Sequence, residues 1–163
     1  MKSQMRLYDH LDVLAMPVDD NTVLLASPSE AANPLRKARL VTPQDERLNK
    51  PYIQWFLRMK KQMEEQGTTV VPVPFWLTES RDGHVYIMTY CNVLQESDML
   101  YVPKRSDNKS SKIAKMGRIL DDKAGDTLSR YKKVAQLSGF EDDILWKDAG
   151  LRCLVNVTHR EIT

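Results

Sequence analysis

The chain has 163 residues, 42% hydrophobic and 28% charged, with 24 basic residues against 22 acidic ones for a net charge of +2. That balance argues against a nucleic-acid or acidic-membrane surface, and no apolar run approaches the roughly 20 residues of a membrane span. Two cysteines, Cys91 and Cys153, make no disulfide framework, and the first five residues lack an apolar stretch of signal-peptide type. A single cytoplasmic domain over 1–163 is therefore expected, with no resident metal or cofactor.

In chain order, Leu7-Tyr8-Asp9-His10-Leu11-Asp12 opens an apolar run through Val18. A turn at Asp19-Asp20-Asn21 and a second run over 22–26 predict a β-hairpin. If 10–12 are extended, His10 and Asp12 point to the same side, because residues two apart in a strand share a face. A polar loop with Pro28, Pro34 and Pro43 is expected next. A helix from about Pro51 follows, with Tyr52, Phe56, Met59 and Met63 on one face and Gly67 as its stop. Residues 69–75 are extended, with Pro72 and Pro74 arguing for an edge, a bend or an early end.

Residues 80–83 turn, 84–94 form one long strand or two, and 99–103 pair back. The stretch 104–125 is rich in Ser, Lys and Asp and predicts a surface insertion or a flap over a site. Its Ile113, Met116, Ile119 and Leu120 suit a short amphipathic helix. A helix is expected over 126–138, with Leu128, Tyr131 and Ala135 on one face, then a short strand over 142–147. Hairpin, helix and strand thus occur twice, over 11–75 and 84–147, and 151–160 begins a third copy. A ββαβ unit cannot bury both its faces alone, so repeats of it imply stacking around a shared centre.

Four motifs in order resemble the guanidine-modifying enzymes: arginine, agmatine and peptidyl-arginine deiminases, dimethylarginine hydrolases and amidinotransferases. His10-Leu11-Asp12 resembles the family's His-x-Asp at a strand start, and Tyr90-Cys91-Asn92-Val93-Leu94 its Tyr-x-Asn strand. Leu100-Tyr101-Val102-Pro103 resembles a following strand end. Asp148-Ala149-Gly150-Leu151-Arg152-Cys153 resembles the turn before the catalytic cysteine, with one glycine where the family often has two or three and Arg152 where a His is usual. The resemblance runs over 7–160. It implies an α/β propeller of the pentein type, of which this chain holds about two and a part of five ββαβ modules. The family's upstream carboxylate motifs have no counterpart among the nine residues before His10.

The resemblance implies Cys153 as the nucleophile, His10 as acid and base, and Asp12 as a guanidinium ligand. Asn92 and Arg152 are further candidates for substrate contact, Arg152 toward a substrate carboxylate. A thiolate is a far better nucleophile than a hydroxyl at neutral pH, which suits attack on a resonance-stabilised guanidinium carbon. Hydrolase and amidinotransferase chemistry share that thiol and are not separated by the sequence. Expected partners are a small guanidino substrate and either a second copy or missing upstream modules, with no nucleic acid and no membrane. The alternative is a non-catalytic binding module on the same fold, as in a ribosome anti-association factor. Taken without the family, Cys153 in an apolar strand reads as a small buried hydrophobe, Cys91 reads as core, and His84 and His159 as a turn residue and an exposed one.

Overall fold

The computed structural model describes residues 11–80, 83–96, 98–104 and 111–137. A single helical turn, α1 (Leu11–Leu14), leads into the hairpin β1 (Ala15–Asp19) and β2 (Thr22–Ser27). The hairpin turns where the sequence expects it: Asn21 N donates to Asp19 Oδ1 at 2.9 Å, an Asx turn. Two helices follow, α2 (Pro28–Lys37) and α3 (Pro43–Glu65). Strand β3 (Thr69–Glu79) then returns parallel to β2, and β4 (Val85–Thr89) runs antiparallel to β3. A second set repeats the connectivity. Strands β5 (Leu94–Glu96) and β6 (Met99–Pro103) form an antiparallel pair. Helix α4 (Lys112–Leu128) crosses over, and β7 (Lys133–Leu137) lies parallel to β6.

Several elements differ from expectation. The proline-rich loop is helix α2, whose buried Pro28, Ala31, Ala32 and Leu35 fall at i, i+3, i+4 and i+7. That is a full helical face, written in small residues that carry little hydrophobic contrast. Helix α3 starts at Pro43, eight residues before Pro51, because its capping box closes there. Asp45 N donates to Thr42 Oγ1 and Thr42 N donates to Asp45 Oδ2. Pro51 then sits inside the helix and removes one bond to the carbonyl of the exposed Arg47, where water can replace it.

Strand β3 is neither cut short nor bent away at Pro72. It pairs with β2 through Pro74 and with β4 from Phe75 onward. Leu77 N donates to Asn49 Oδ1 and Leu77 O accepts from Asn49 Nδ2, so the odd-numbered residues of β3 turn their backbone groups away from β4. Pro72 and Pro74 therefore lack their N–H on the β4 side, in the half of the strand that β4 does not reach. Asn49 does the complementary work where β2 has already become α2.

The 104–125 stretch is not a surface insertion. Its residues from Lys112 on build α4, with Ala114, Met116, Gly117, Leu120 and Ala124 buried. The expected 126–138 helix is divided instead: α4 ends at Leu128, and Lys133–Leu137 is strand β7. Residues 84–94 are two strands, β4 and the start of β5. The expected strand over 142–147 and the third copy over 151–160 lie outside the described residues.

Helix α3 covers one face of the first sheet, where Phe56, Met59 and Met63 pack on Leu25 and Val70. Tyr52 meets the Phe75 ring at 5.2 Å between centroids. On the other face lies the main core. Leu24, Ala26, Val71 and Val73 pack there with Leu35 of α2, Met116 and Leu120 of α4, and Leu100 and Val102 of β6. Gln95 Nε2 and Lys132 Nζ both donate to Val18 O at 2.9 Å and tie the second unit to β1.

Candidate functional site

Of the five site residues expected from sequence, His10, Arg152 and Cys153 lie outside the described residues. Asp12 is described in its backbone only, and that backbone is helical. The extended 10–12 expected from sequence is not what the described part shows, since Leu11 and Asp12 begin α1, and how His10 stands to Asp12 lies outside the described residues. Asn92 is buried at 2% exposure, three residues past the end of β4.

The fold brings the Asp12-bearing turn against the Asn92-bearing segment. A four-residue helix leaves its carbonyls without intrahelical partners. Here they are met by side chains from the end of β4. Thr89 Oγ1 donates to Val13 O at 2.5 Å, and Cys91 Sγ donates to Leu14 O at 3.3 Å. Cys91 N in turn donates to Thr89 Oγ1 at 3.3 Å. Burial pushes the Cys91 thiol well above its ordinary pKa, against a smaller lowering by the Thr89 hydroxyl. Cys91 is thus a protonated donor that holds α1 and is not a nucleophile.

Below this seam, Tyr90 Oη lies 2.5 Å from Asp121 Oδ1 and 3.4 Å from Gly117 O. Tyr90 and Asp121 are both buried, so the Tyr-x-Asn segment is pinned from behind to α4. Asp121 falls in the stretch read from sequence as polar surface. Its place three residues before Ala124 and seven from both Ala114 and Leu128, all buried, is the signal that would have put it on a buried face. A second buried carboxylate, Asp45, accepts from Thr42 N, Thr78 Oγ1 and Lys112 Nζ and ties α3, β3 and α4 together. Among the described residues no three His, Cys, Asp or Glu side chains cluster as metal ligands, and no helix is long and apolar enough to cross a membrane.

No family model matches the sequence, and no curated protein matches it. Solved structures do match. A candidate arginine deiminase from Porphyromonas gingivalis superposes with a TM-score of 0.54 at 18% identity, over 89% of this chain and 37% of that one. Agmatine deiminase from C. jejuni superposes with a TM-score of 0.51 in a substrate-bound structure, at 17% identity, over 88% of this chain and 35% of that one. A second structure of that enzyme gives 0.51 at 18% identity, over 88% and 36%. The mixed α/β fold of this chain is similar to that of the corresponding part of these deiminase structures. This mixed α/β fold agrees with the resemblance carried by the four sequence motifs. The chain spans little more than a third of the length of the deiminases it matches.

Proposed function

We propose that this chain carries part of the active site of a guanidine-modifying enzyme, a hydrolase or amidinotransferase acting on arginine or an arginine-like substrate. The observation that supports it is the deiminase fold in a chain whose motifs stand in that family's order. On this reading the two ββαβ sets and the start of a third belong to a five-module propeller. The seam between α1 and the Thr89–Asn92 segment is one wall of the site, and the buried Asn92 is a substrate contact.

The Cys153 thiolate attacks the guanidinium carbon to give a tetrahedral adduct. His10, as imidazolium, gives its proton to the departing amine, leaving an amidino-thioether and a neutral imidazole. His10 then takes a proton from water, or from an incoming amine, as that nucleophile attacks the same carbon and expels the thiolate. Asp12 matches the guanidinium fork with two oxygens, and Arg152 faces a substrate carboxylate. The substrate's positive charge lowers the thiol pKa from its free value of about 8.5.

The test compares alkylation rates of the two cysteines by chloroacetamidine, read by mass spectrometry. Cys153 labels faster than Cys91 in the native chain, His10→Ala slows it, and Asp12→Asn slows it while leaving labelling by neutral iodoacetamide less affected. Equal, slow labelling of both cysteines, untouched by either substitution, would establish a non-catalytic binding module instead.

A further inference from the structure

The apolar run from Val13 to Val18 has the sequence of one strand, yet β1 begins only at Ala15. An extended start would have a partner waiting. The hairpin register sets Ala15 opposite Leu25, and β2 continues through Ala26 and Ser27. Extension of β1 by two residues would therefore set Leu14 opposite Ala26 and Val13 opposite Ser27. It would also turn Val13 to the face of Ala15, which packs with Leu25 and Val70 under α3, because residues two apart in a strand share a face. In α1 both Val13 and Leu14 instead enter the main core, each 1% exposed.

A lone turn of four residues does not hold itself in water, since its nucleus fixes about six dihedrals for one hydrogen bond. The choice between turn and strand falls to the donors that meet its carbonyls. The Thr89 hydroxyl has one proton, directed at Val13 O, and its oxygen accepts Cys91 N. The Cys91 thiol, a weaker donor, reaches Leu14 O. Thr89 and Cys91 are both buried, so a carbonyl that loses either donor is left unpaired away from water. Both donors belong to the segment that ends at Asn92.

We propose that Thr89 and Cys91 are positioning residues. By holding residues 11–14 as a helical turn they fix the backbone that carries Asp12, and through it the preference of the site for a cationic substrate. Thr89 carries the larger share, because a hydroxyl is a stronger donor than a thiol. This role rests on Asp12 being the guanidinium ligand, as proposed above.

The test reads backbone and chemistry together in the full chain. Carbon chemical shifts of residues 12–14 report turn or strand. The ratio of Cys153 labelling rates by chloroacetamidine and by neutral iodoacetamide reports cation preference. Thr89→Val removes the donor and keeps the shape. It moves the shifts of 12–14 toward extended values and lowers the ratio about fivefold or more, while Thr89→Ser, which keeps the hydroxyl, restores most of both. Cys91→Ala acts in the same direction to a smaller extent, and carries the test alone should Thr89→Val not fold. Helical shifts at 12–14 in these variants overturn the proposal. Extended shifts with an unchanged ratio overturn it too, and leave the pair a purely structural role. Asp12→Asn is the control. A ratio lowered by Asp12→Asn and untouched by Thr89→Val and Cys91→Ala overturns the positioning role alone. A ratio untouched by Asp12→Asn removes the reading of Asp12, and the positioning role with it.

Discussion

Asp45 is the most consequential single side chain among those described, and replacing it by Asn tests why α3, β3 and α4 hold together. Its carboxylate is 1% exposed and accepts three bonds: Thr42 N at 2.9 Å, Thr78 Oγ1 at 2.8 Å and Lys112 Nζ at 2.9 Å. An asparagine offers one acceptor oxygen and turns an NH2 toward a donor. Hydrogen bonds to a charged group contribute about 1.5–3 kcal/mol each. The Lys112 ammonium is 36% exposed, which reduces its share to about 1 kcal/mol. Asp45→Asn should therefore destabilise by about 2–3 kcal/mol in urea unfolding at neutral pH, or about 5–10 °C in Tm for a chain of this size. Burial raises the Asp45 pKa, and the Lys112, Thr42 and Thr78 bonds together outweigh it, so the folded value lies below 3.8. Its stabilisation is then fully present above the unfolded pKa and is lost as pH falls through the folded one. The wild type should lose stability in that acid window, and the Asn variant should lose less. A double cycle with Lys112→Met should return a coupling of about 1 kcal/mol. An Asn variant within about 0.5 kcal/mol of wild type, with the same acid slope, would refute this account.

Three further substitutions probe the chain's local geometry. Helices α2 and α3 both end in a Schellman motif, Leu40 N to Leu35 O and Thr68 N to Met63 O, with Arg39 at φ 57 in one and Gly67 at φ 83 in the other. Arg39→Gly should stabilise by up to about 1 kcal/mol and Gly67→Ala should destabilise by about 1 kcal/mol in thermal unfolding, since open space around Gly67 leaves backbone strain as the only cost. Asn49→Leu strands the Leu77 N–H and C=O on an edge of β3 without a strand partner and should cost about 2–4 kcal/mol; faster amide exchange confined to Leu77 and its neighbours would locate the loss, and unchanged protection there would refute the role.

What the sequence determined by itself is what local chemistry encodes. The hairpin, found over 15–27, was legible because apolar runs flank an Asp-Asp-Asn turn whose side chain makes its own bond to the backbone. The helical face of Phe56, Met59 and Met63, the Gly67 stop and the pairing of 99–103 with the strand before it were legible for similar reasons. The family resemblance also pointed to the fold that the deiminase structures share. Tertiary structure decided the rest, wherever the deciding partner is distant in sequence. Residues 133–137 have helical spacing, yet β6 recruits them as a parallel strand, since a strand's pairing free energy comes from a neighbour no local pattern reveals. Pro72 and Pro74 stay in β3 because the strand changes partners just beyond them. Helix α1 replaces an expected strand because Thr89 and Cys91, more than 70 residues away, supply the donors that its carbonyls lack.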